Sequence, residues 1–363
     1  MSDHAQATPS STSTPSTLVD PFAHYADRAK LGLRTNARLF SNSEVQTAKR
    51  CRRKWYLAWY LGLRFKRDRP TGVRAVGDRV HRALARWYVA EAEGRVDPRQ
   101  ALEQLIESDT RQVTEAWKGD EQLANILLDM KKDDDLERAM ISGYVQWLEE
   151  TGADSGLVIL ESEMYRDAEM PLLASRGGVP VYIIAKLDAR VRRVSDNVFL
   201  FIDHKTVGDF AQKTLTLSMD EQMLWYDIIE LLNGVPLGER TGGALYNMLR
   251  RVKRTTRAKP PFYQRLEVRH NRHELESFYE RLWGMLNDII TMERRLDNGE
   301  SHKIVAYPTP TPNCSWDCDF FLLCPRMDDG SRSQDMIAQW YVKGDPLAYY
   351  SRDIIDKIGE QKE

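Results

Sequence analysis

The stretch Val198-Phe199-Leu200-Phe201-Ile202-Asp203-His204-Lys205 decides the fold expected for this chain. Its apolar run predicts a buried β-strand, and the carboxylate and ammonium groups at its end, two residues apart, would share one face of that strand. A second strand-like segment, Val181 to Val191, precedes it and carries Asp188. The linking residues Ser195-Asp196-Asn197 are turn formers, so the two segments are expected to pair as a hairpin.

This hairpin would bring two carboxylates together. A two-residue loop at Ser195-Asp196 places Asp188 directly opposite Asp203, whereas a loop at Asp196-Asn197 makes them diagonal neighbours. Either arrangement leaves them within roughly 5–8 Å of each other. Like charges at that distance are destabilising unless a cation lies between them. The sequence therefore predicts a divalent-metal site with Lys205 beside it.

Two predicted helices carry further candidate residues. A helix over Val73 to Glu93 has Gly77, His81 and Ala85 on one stripe, where the small residues would let another element approach the His81 ring. A lone histidine beside an apolar stripe more often has a structural role. A capping box at residues 218–221 opens a helix to about residue 232. It places Gln222 and Tyr226 on one face.

Cysteine spacing is the second strong signal. Cys51 stands alone, and Cys314, Cys318 and Cys324 lie together in an eleven-residue stretch. Four thiolates suit a tetrahedral zinc ion or an iron–sulfur cluster, and one distant cysteine with a clustered triplet favours the cluster. Buried free cysteines are the alternative. If the four cysteines bind one zinc ion or cluster, they join the first predicted helix to the C-terminal end of the domain.

Charge is distributed unevenly along the 363 residues, although 52 Lys and Arg nearly balance 54 Asp and Glu. Residues 49–69 and 250–272 each contain nine basic residues and one acidic residue, whereas residues 103–150 are acidic. Each basic stretch alone could be a solvated helix face or loop, but two of them beside a carboxylate metal site favour a nucleic-acid surface. The chain has no run of ~18 apolar residues and no signal-peptide pattern, so a cytoplasmic location without membrane contact is expected.

The order of predicted elements indicates an α/β or α+β fold in one catalytic domain. Residues 1–20, rich in Ser, Thr and Pro, are expected to be disordered. Helices are predicted over residues 43–60 and 73–93, a helical insertion over 95–150 with a break near Gly119, strands at 157–164, 181–194, 198–205, 243–249 and 262–268, and a long helix over 273–296. Residues 329–363 form a C-terminal extension.

Together these motifs resemble the RecB-like branch of the PD-(D/E)XK nucleases, and more narrowly its iron–sulfur exonucleases, which include CRISPR-associated and phage proteins. The likeness covers about residues 40–328. The motifs, in chain order, are Gly77-Asp78-Arg79-Val80-His81, Ala185-Lys186-Leu187-Asp188, Asp203-His204-Lys205 and Gln222 to Tyr226. Alanine replaces the usual glycine at 185. The first gap of the cysteine triplet is one residue longer than is usual in the family.

The resemblance implies a restriction-endonuclease-like mixed sheet flanked by helices, with the cysteines of residues 312–326 and Cys51 holding an iron–sulfur cluster, expected to be 4Fe–4S. It implies Mg²⁺ or Mn²⁺ held by His81, Asp188, Asp203 and the His204 carbonyl, with Lys205 acting on the attacking water. DNA would be positioned by Gln222, Tyr226 and the basic residues Arg52, Arg53, Arg250, Arg251, Lys253 and Arg254.

The implied activity is exonucleolytic hydrolysis of DNA, on single strands or ends, in replication, recombination or repair. No Gly-x-x-x-x-Gly-Lys-Ser/Thr loop occurs, so a separate helicase or recombination protein is a candidate partner. An oligomer is compatible with the resemblance. Two alternatives stay open at this point: a DNA-binding scaffold that does not cut, and a zinc-stabilised endonuclease. Asp188, Asp203 and Lys205 are the expected catalytic residues, whether the protein is an exonuclease or an endonuclease.

Overall fold

A computed structural model describes residues 33–67, 70–89 and 94–350. The predicted disordered tail at residues 1–20 and the last part of the predicted C-terminal extension, residues 351–363, lie outside the described residues. No helix in the described part of the chain has an apolar stretch long enough to cross a membrane.

Eight strands and twelve α-helices occupy the described ranges. The strands are β1 (Arg38–Ser41), β2 (Leu63–Phe65), β3 (Leu157–Ala174), β4 (Pro180–Arg193), β5 (Val198–Val207), β6 (Thr241–Arg250), β7 (Tyr263–Val268) and β8 (Tyr341–Lys343). The helices of eight residues or more are α1 (Asn42–Arg50), α3 (Val73–Ala85), α4 (Pro98–Ala116), α5 (Leu123–Thr151), α6 (Phe210–Leu217), α7 (Glu221–Leu232), α8 (Arg272–Asp297) and α12 (Ser333–Trp340). The short ones are α2 (Arg52–Trp55), α9 (His302–Val305), α10 (Cys314–Asp317) and α11 (Leu323–Arg326).

A mixed six-stranded sheet forms the centre, in the order β1-β4-β5-β6-β7, with β3 also paired to β4. The β1–β4 and β5–β6 pairs are parallel, and the others are antiparallel. Since β3 runs along one edge of β4, the other edge is shared by β1 at residues 181–184 and β5 at residues 189–193. Residues 185–188 lie between these two partners. The expected α/β class with a mixed sheet is confirmed.

Helices cover both faces of this sheet, which explains the unbroken apolar run of β5. Phe201 packs with residues of α1, α7 and α8 on one face. Its neighbours Leu200 and Ile202 pack with α3, α4 and α5 on the other. Residues 203 and 205 of β5 therefore face α7, and residue 204 faces α3.

The helical insertion is tied to the sheet by a buried arginine of α3. Arg79, 2% exposed, contacts Asp109 at 3.0 Å, Asp134 at 2.7 Å and Glu137 at 2.8 Å. Burial, opposed by Arg79, raises the pKa of Glu137 to about 7. The acidic stretch thus supplies buried partners as well as solvated faces. The predicted break between its helices is confirmed, since Gly119, with φ 80°, lies between α4 and α5.

The predicted single helix over residues 43–60 was wrong. It is broken at Cys51, whose backbone is extended at φ −159° and whose thiol accepts a hydrogen bond from the Lys54 amide at the start of α2. A π-helical turn, Tyr56–Tyr60, follows. The extended Cys51 therefore ends α1, and its thiol caps the start of α2.

The C-terminal residues return to the domain. Strand β8 pairs with β2, and Gly344 passes so close to Gly62 that a Cβ on Gly62 would lie 2.6 Å from the Gly344 carbonyl oxygen. Leu347 and Tyr350 then pack with apolar residues of β1 and β4, among them Leu39 and Ile184. The strands β1, β2 and β8 were not predicted.

Candidate active site

The two predicted carboxylates lie where strands β4 and β5 separate. Their antiparallel pairing ends at Ala189 opposite Ile202, and the same register puts Asp188 opposite Asp203. Beyond this point β5 continues beside its parallel neighbour β6. The connecting turn spans four residues, 194–197, so neither two-residue loop is correct, although the register is the one that the Ser195-Asp196 loop required. We call Asp188, Asp203 and Lys205 the carboxylate fork.

Asp188 is bound from two sides. The His204 amide donates a hydrogen bond to Asp188 Oδ2 at 2.8 Å, in the gap between the strands. His81 Nδ1, on α3, lies 3.4 Å from the same oxygen. Burial alone would raise the pKa of Asp188, but His81 and the His204 amide hold it below its usual range. Asp188 is therefore an anion at neutral pH.

Asp203 is buried, at 2% exposure, and is shared between a lysine and an amide. Lys205 Nζ lies 2.8 Å from Asp203 Oδ2, and Gln222 Nε2 donates to Oδ1 at 3.2 Å. Lys205 also donates to Gln222 Oε1 at 2.9 Å. Burial, opposed by Lys205 and reinforced by Asp188, raises the pKa of Asp203 to about 6.

Lys205 is a cation in this arrangement. Its burial would lower the pKa of the amine, but Asp203 and Asp220 raise it above its usual value. An ammonium at neutral pH donates hydrogen bonds and stabilises negative charge, and it does not act as a proton acceptor.

Helix α7 supplies both predicted helical residues. Asp220 caps its N-terminus, accepting a hydrogen bond from the Gln222 amide, so the helix begins two residues later than the capping box at Ser218 predicts. Gln222 Nε2 donates to the Tyr226 hydroxyl at 2.6 Å. That hydroxyl donates to the Lys186 carbonyl at 3.3 Å. The shared face expected for Gln222 and Tyr226 is present, and it is directed at β4 and β5.

His81 reaches the fork because α3 lies close to β5. A Cβ on Gly77 would be 3.2 Å from Thr206 Oγ1, so the glycine permits the approach. The predicted role of the small residues beside His81 is consistent with this contact. Burial lowers the pKa of His81, but Asp188 and Asp203 more than offset it, so the net shift is upward.

The His204 side chain belongs to a separate buried network that the sequence did not reveal. Its Nδ1 lies 2.8 Å from Asn247 Nδ2, which can only donate, so the proton of the neutral ring is on Nε2. Burial lowers the pKa of His204 to about 3. Asn247 in turn accepts from Arg265 Nε at 3.1 Å, and Arg265 contacts Tyr144 of α5 at 2.9 Å. The helical insertion thus supports the strand that carries the fork.

Glu163 is a further acidic residue near the fork. It lies on β3 at φ 49°, close to an irregularity in the β3–β4 pairing, and contacts Lys186 at 2.5 Å. Burial and the charge of Asp188 raise the pKa of Glu163. The neighbouring Glu161 instead pairs with Arg166 at 2.7 Å. Only the pairing of β3 with β4 brings Glu163 towards the fork.

A family model for the PD-(D/E)XK nuclease superfamily matches residues 39–325. The chain belongs to this superfamily. No curated protein matches the sequence at a significant level. The mixed sheet flanked by helices is the restriction-endonuclease-like fold of these nucleases, as the motifs led us to expect. Membership makes the chain a nuclease, and DNA is the substrate that a nuclease domain of this kind implies.

The side chains at the fork of this nuclease are of the types that bind a hard divalent cation. In residues 33–67, 70–89 and 94–350, no three His, Cys, Asp or Glu side chains are gathered closely enough to hold an ion as they stand. The carboxylates of Asp188 and Asp203, with the His81 imidazole, are nevertheless ligand types that Mg²⁺ and Mn²⁺ accept. Burial, with a smaller contribution from Asp188, raises the pKa of Asp203, so a cation between the two carboxylates would favour its ionised form. Ligation would require its carboxylate to exchange Lys205 for the metal.

The four cysteines of the nuclease, all of them among the described residues, lie in one region and form no disulfide, but no three of them are gathered closely enough to hold a metal ion as they stand. We call residues 309–328 the cysteine segment. Cys51 Sγ accepts a hydrogen bond from the Thr309 amide at 3.5 Å, so this segment begins beside the break between α1 and α2. Burial raises the pKa of both Cys318 and Cys324, and each lies close enough to Cys51 for their charges to interact.

Arg53 lies in the interior and not on a DNA-binding surface. It is 2% exposed, and its guanidinium donates to the Cys324 carbonyl at 3.3 Å and the Ala306 carbonyl at 3.5 Å and pairs with Asp328. Its neighbour Arg52 lies over the Tyr307 ring at 5.1 Å. Arg53 thus joins α2 to Cys324 and Asp328 of the cysteine segment and to Ala306 just before it.

The basic residues of the second stretch, residues 250–272, also differ in whether they have partners within the protein. Arg254 donates to the Gly143 carbonyl at 2.7 Å, Lys253 lies 3.5 Å from Asp135, and Arg250 donates to the Lys259 carbonyl at 3.1 Å. Arg251 differs from these. Burial lowers its pKa, and no acidic side chain of the described ranges contributes to that shift. A Cβ on Gly208, just after β5, would be 3.5 Å from its guanidinium, so Arg251 lies near the end of the strand that carries the fork.

Proposed function

We propose that this nuclease is a Mg²⁺- or Mn²⁺-dependent deoxyribonuclease that acts as an exonuclease on single strands or DNA ends. The observation that carries the proposal is the fork itself, in which Asp188 lies opposite Asp203 where β4 and β5 separate, with Lys205 and Gln222 bound to Asp203. Two acidic groups and a protonated lysine at one point of a sheet provide both a cation site and a phosphate contact.

Each residue of the fork has a proposed part in hydrolysis. Asp188, Asp203, His81 and the His204 carbonyl would hold the metal, which when bound would activate water and neutralise charge on the phosphate. Lys205, held as a cation by its carboxylate neighbours, would donate to the phosphate oxygen on which negative charge develops. Gln222 would fix the direction of the Lys205 ammonium group, and Tyr226 would fix Gln222.

Arg251 is the best-supported phosphate contact of the basic residues. It is a cation without an acidic partner in the described ranges, and it lies close to the end of β5. Arg52, Arg250 and Lys253 would add long-range attraction for the DNA backbone. We do not propose DNA contacts for Arg53 and Arg254, because both are bound to backbone carbonyl groups.

Digestion of labelled DNA tests the activity. Linear single-stranded and blunt duplex substrates with an end label, and a circle with an internal label, are incubated with Mn²⁺, Mg²⁺ or EDTA. The proteins compared are the wild type, Asp203→Asn and an exposed control, Lys131→Ala. We expect linear strands to be shortened in the presence of metal, Asp203→Asn to be inactive and the control to match the wild type. Cutting of the circle would replace the exonuclease with an endonuclease. DNA binding without any digestion would favour the scaffold.

We propose further that Cys51, Cys314, Cys318 and Cys324 hold an iron–sulfur cluster, with 4Fe–4S as the expected type. What supports this is the approach of Cys51 to the cysteine segment and the mutual charge interactions of the thiols. Its role would be structural, because it would join the α1–α2 break to the cysteine segment. The cluster would use no side chain of the carboxylate fork.

Anaerobic purification tests the cluster independently of activity. The expected protein is brown, absorbs near ~400 nm and contains iron and sulfide. Cys318→Ser should lose the absorbance. Stoichiometric zinc in a colourless protein would overturn the cluster and support the zinc-stabilised alternative.

The cellular setting proposed is cytoplasmic DNA replication, recombination or repair. The sequence has no phosphate-binding loop of the ATPase type, so unwinding would come from a separate helicase or recombination protein. Addition of a helicase that exposes single strands should increase digestion of duplex DNA if single strands are the substrate.

A further inference from the structure

Tyr349 lies beside the fork although it is outside the stretch that the family model matches. Its ring centroid is 5.1 Å from Lys186 Nζ, and Lys186 contacts Glu163 at 2.5 Å. Partial burial and the charges of Asp188 and Glu163 raise the pKa of its phenol. The ring therefore lies beside Lys186, two residues before Asp188, one of the carboxylates that are proposed to hold the metal.

The position of Tyr349 is fixed by its neighbours. Gly344 donates its amide to the Gly62 carbonyl at 2.9 Å where the two glycines cross. Leu347 and Tyr350 are buried in the cluster formed with β1 and β4. The Tyr350 hydroxyl is within hydrogen-bonding reach of Ser41 and Ser43. Residues on both sides of Tyr349 are thus anchored to the core.

The Tyr349 ring meets the Tyr350 ring edge-on, with 5.4 Å between the centroids, but most of it is left open to solvent. Tyr349 is 54% exposed, whereas Tyr350 is 9% exposed. A half-exposed aromatic ring carries little weight alone, since single exposed apolar residues are common. What distinguishes this one is its fixed backbone and its place beside two acidic groups and a lysine of the site.

We propose that Tyr349 stacks on a nucleobase of the DNA strand next to the scissile phosphate. This inference rests on the proposed nuclease function and identifies its substrate more closely. A strand bound with its phosphate at the fork would bring a flanking base within reach of the ring, because Lys186, which the ring contacts, is two residues before Asp188. Aromatic rings stack on any unpaired base, independently of sequence. Bases inside a duplex are already stacked, so Tyr349 favours single strands and frayed ends.

Binding and kinetics of Tyr349→Ala and Tyr349→Phe test the proposal. Binding of a fluorescein-labelled single strand is measured by anisotropy with Ca²⁺ in place of the catalytic metal, and KM and kcat are measured with Mn²⁺. Tyr349→Ala should raise Kd and KM by about 5- to 100-fold with little change in kcat. Tyr349→Phe should behave like the wild type, because stacking uses the ring. Trp283→Ala, which removes an aromatic of α8 that is 38% exposed, is the control.

A second arm locates the contact. Single abasic sites are placed at successive positions beside the labelled end. One of them should weaken wild-type binding by the same factor as Tyr349→Ala and have no further effect in that variant. Equal Kd and KM for Tyr349→Ala and wild type, or an equal loss in Tyr349→Phe, would overturn the proposal.

The design separates this inference from the proposed function. If the wild type binds the single strand but does not hydrolyse it, the nuclease proposal fails, and the anisotropy series still decides whether Tyr349 stacks. If the wild type hydrolyses DNA and Tyr349→Ala is indistinguishable from it, only the stacking proposal fails. A wild type that neither binds nor cuts single strands overturns the stacking proposal, and the nuclease proposal fails with it if blunt duplex ends are also left intact.

Discussion

The carboxylate fork and the cysteine segment are held in place by different means. Asp203 is 2% exposed and is bound by side chains from the central sheet and from α7. The cysteine segment contains two helices of four residues each, α10 and α11, and its Trp316 is 73% exposed. Helices of that length are not stable alone.

The difference shows which site the fold itself organises. Charges at the fork are already balanced against one another, so removal of a functional group there should change chemistry more than folding. The cysteine segment depends on a few ties, among them the buried Arg53, the apolar contacts of Phe320 and Leu323, and the proposed cluster. Substitutions there should change stability first.

The largest effect is expected for Lys205→Ala. Loss of one donor to the phosphate should reduce kcat by about 10²- to 10³-fold. The melting temperature should fall as well, because the buried Asp203 carboxylate loses its ammonium partner beside Asp188, but the protein should stay folded. Lys213→Ala is the matched control, since Lys213 lies 3.5 Å from Asp220 at the start of α7 and does not contact Asp203. Initial rates with Mn²⁺ and thermal unfolding provide the comparison. A Lys205→Ala protein that unfolds would show that the fork is not organised by the fold.

Arg53→Met should be the most destabilising change among the residues that contact the cysteine segment. It leaves the Cys324 and Ala306 carbonyl groups without their charged donor, at a cost of about 2–3 kcal/mol in the free energy of unfolding. Arg52→Met, which removes only a contact with the Tyr307 ring, should cost at most about 1 kcal/mol. Urea unfolding measures both. Equal effects of the two substitutions would contradict the interior role of Arg53.

Arg251→Gln should weaken DNA binding without weakening the fold. Loss of one phosphate contact should reduce the slope of log K against log salt by about 1. The melting temperature should be unchanged or slightly higher, because a partly buried cation without an acidic partner is removed. Arg269→Gln is the control, since that guanidinium is already paired with Glu267 at 2.6 Å. An unchanged salt slope for Arg251→Gln would exclude the contact.

The smallest effect is expected at the contact between α3 and β5. Gly77→Ala places a methyl group 3.2 Å from Thr206 Oγ1, so α3 or Thr206 must move and His81 with it. We expect a modest loss of activity and a stability change within about 1 kcal/mol. Gly284→Ala, in α8, has open space and should stabilise the protein by up to about 1 kcal/mol. The double variant Gly77→Ala, Thr206→Ala tests whether the contact is responsible, since removal of the Thr206 hydroxyl should restore activity.

The fork could be predicted from the sequence because its cause is local. Alternation along a strand and a short turn fix which side chains share a face, so the pairing of Asp188 with Asp203 needed no knowledge of the rest of the chain. The turn was predicted two residues too short, and this error left the register intact because the pairing ends symmetrically at Arg193 and Val198.

The remaining features of the site depend on distant pairing. Asn247 lies beside His204 only because β5 and β6 are parallel, and Glu163 lies near Asp188 only because β3 follows β4. Local patterns carry no information on either. The DNA contacts of the basic stretches stay a prediction. Sequence alone could not separate Arg53 from Arg52, because the two differ only in the tertiary partners that they find.

The crossing of Gly62 and Gly344 has a practical consequence for cutting the chain. A fragment that stops at residue 325, where the family match ends, would lack β8 and with it the partner of β2. It would also uncover Leu39 and Ile184, which Leu347 and Tyr350 otherwise shield from water. Recombinant expression of the homologous region alone should therefore give an aggregation-prone product, and the boundary for a well-behaved truncation lies beyond residue 350.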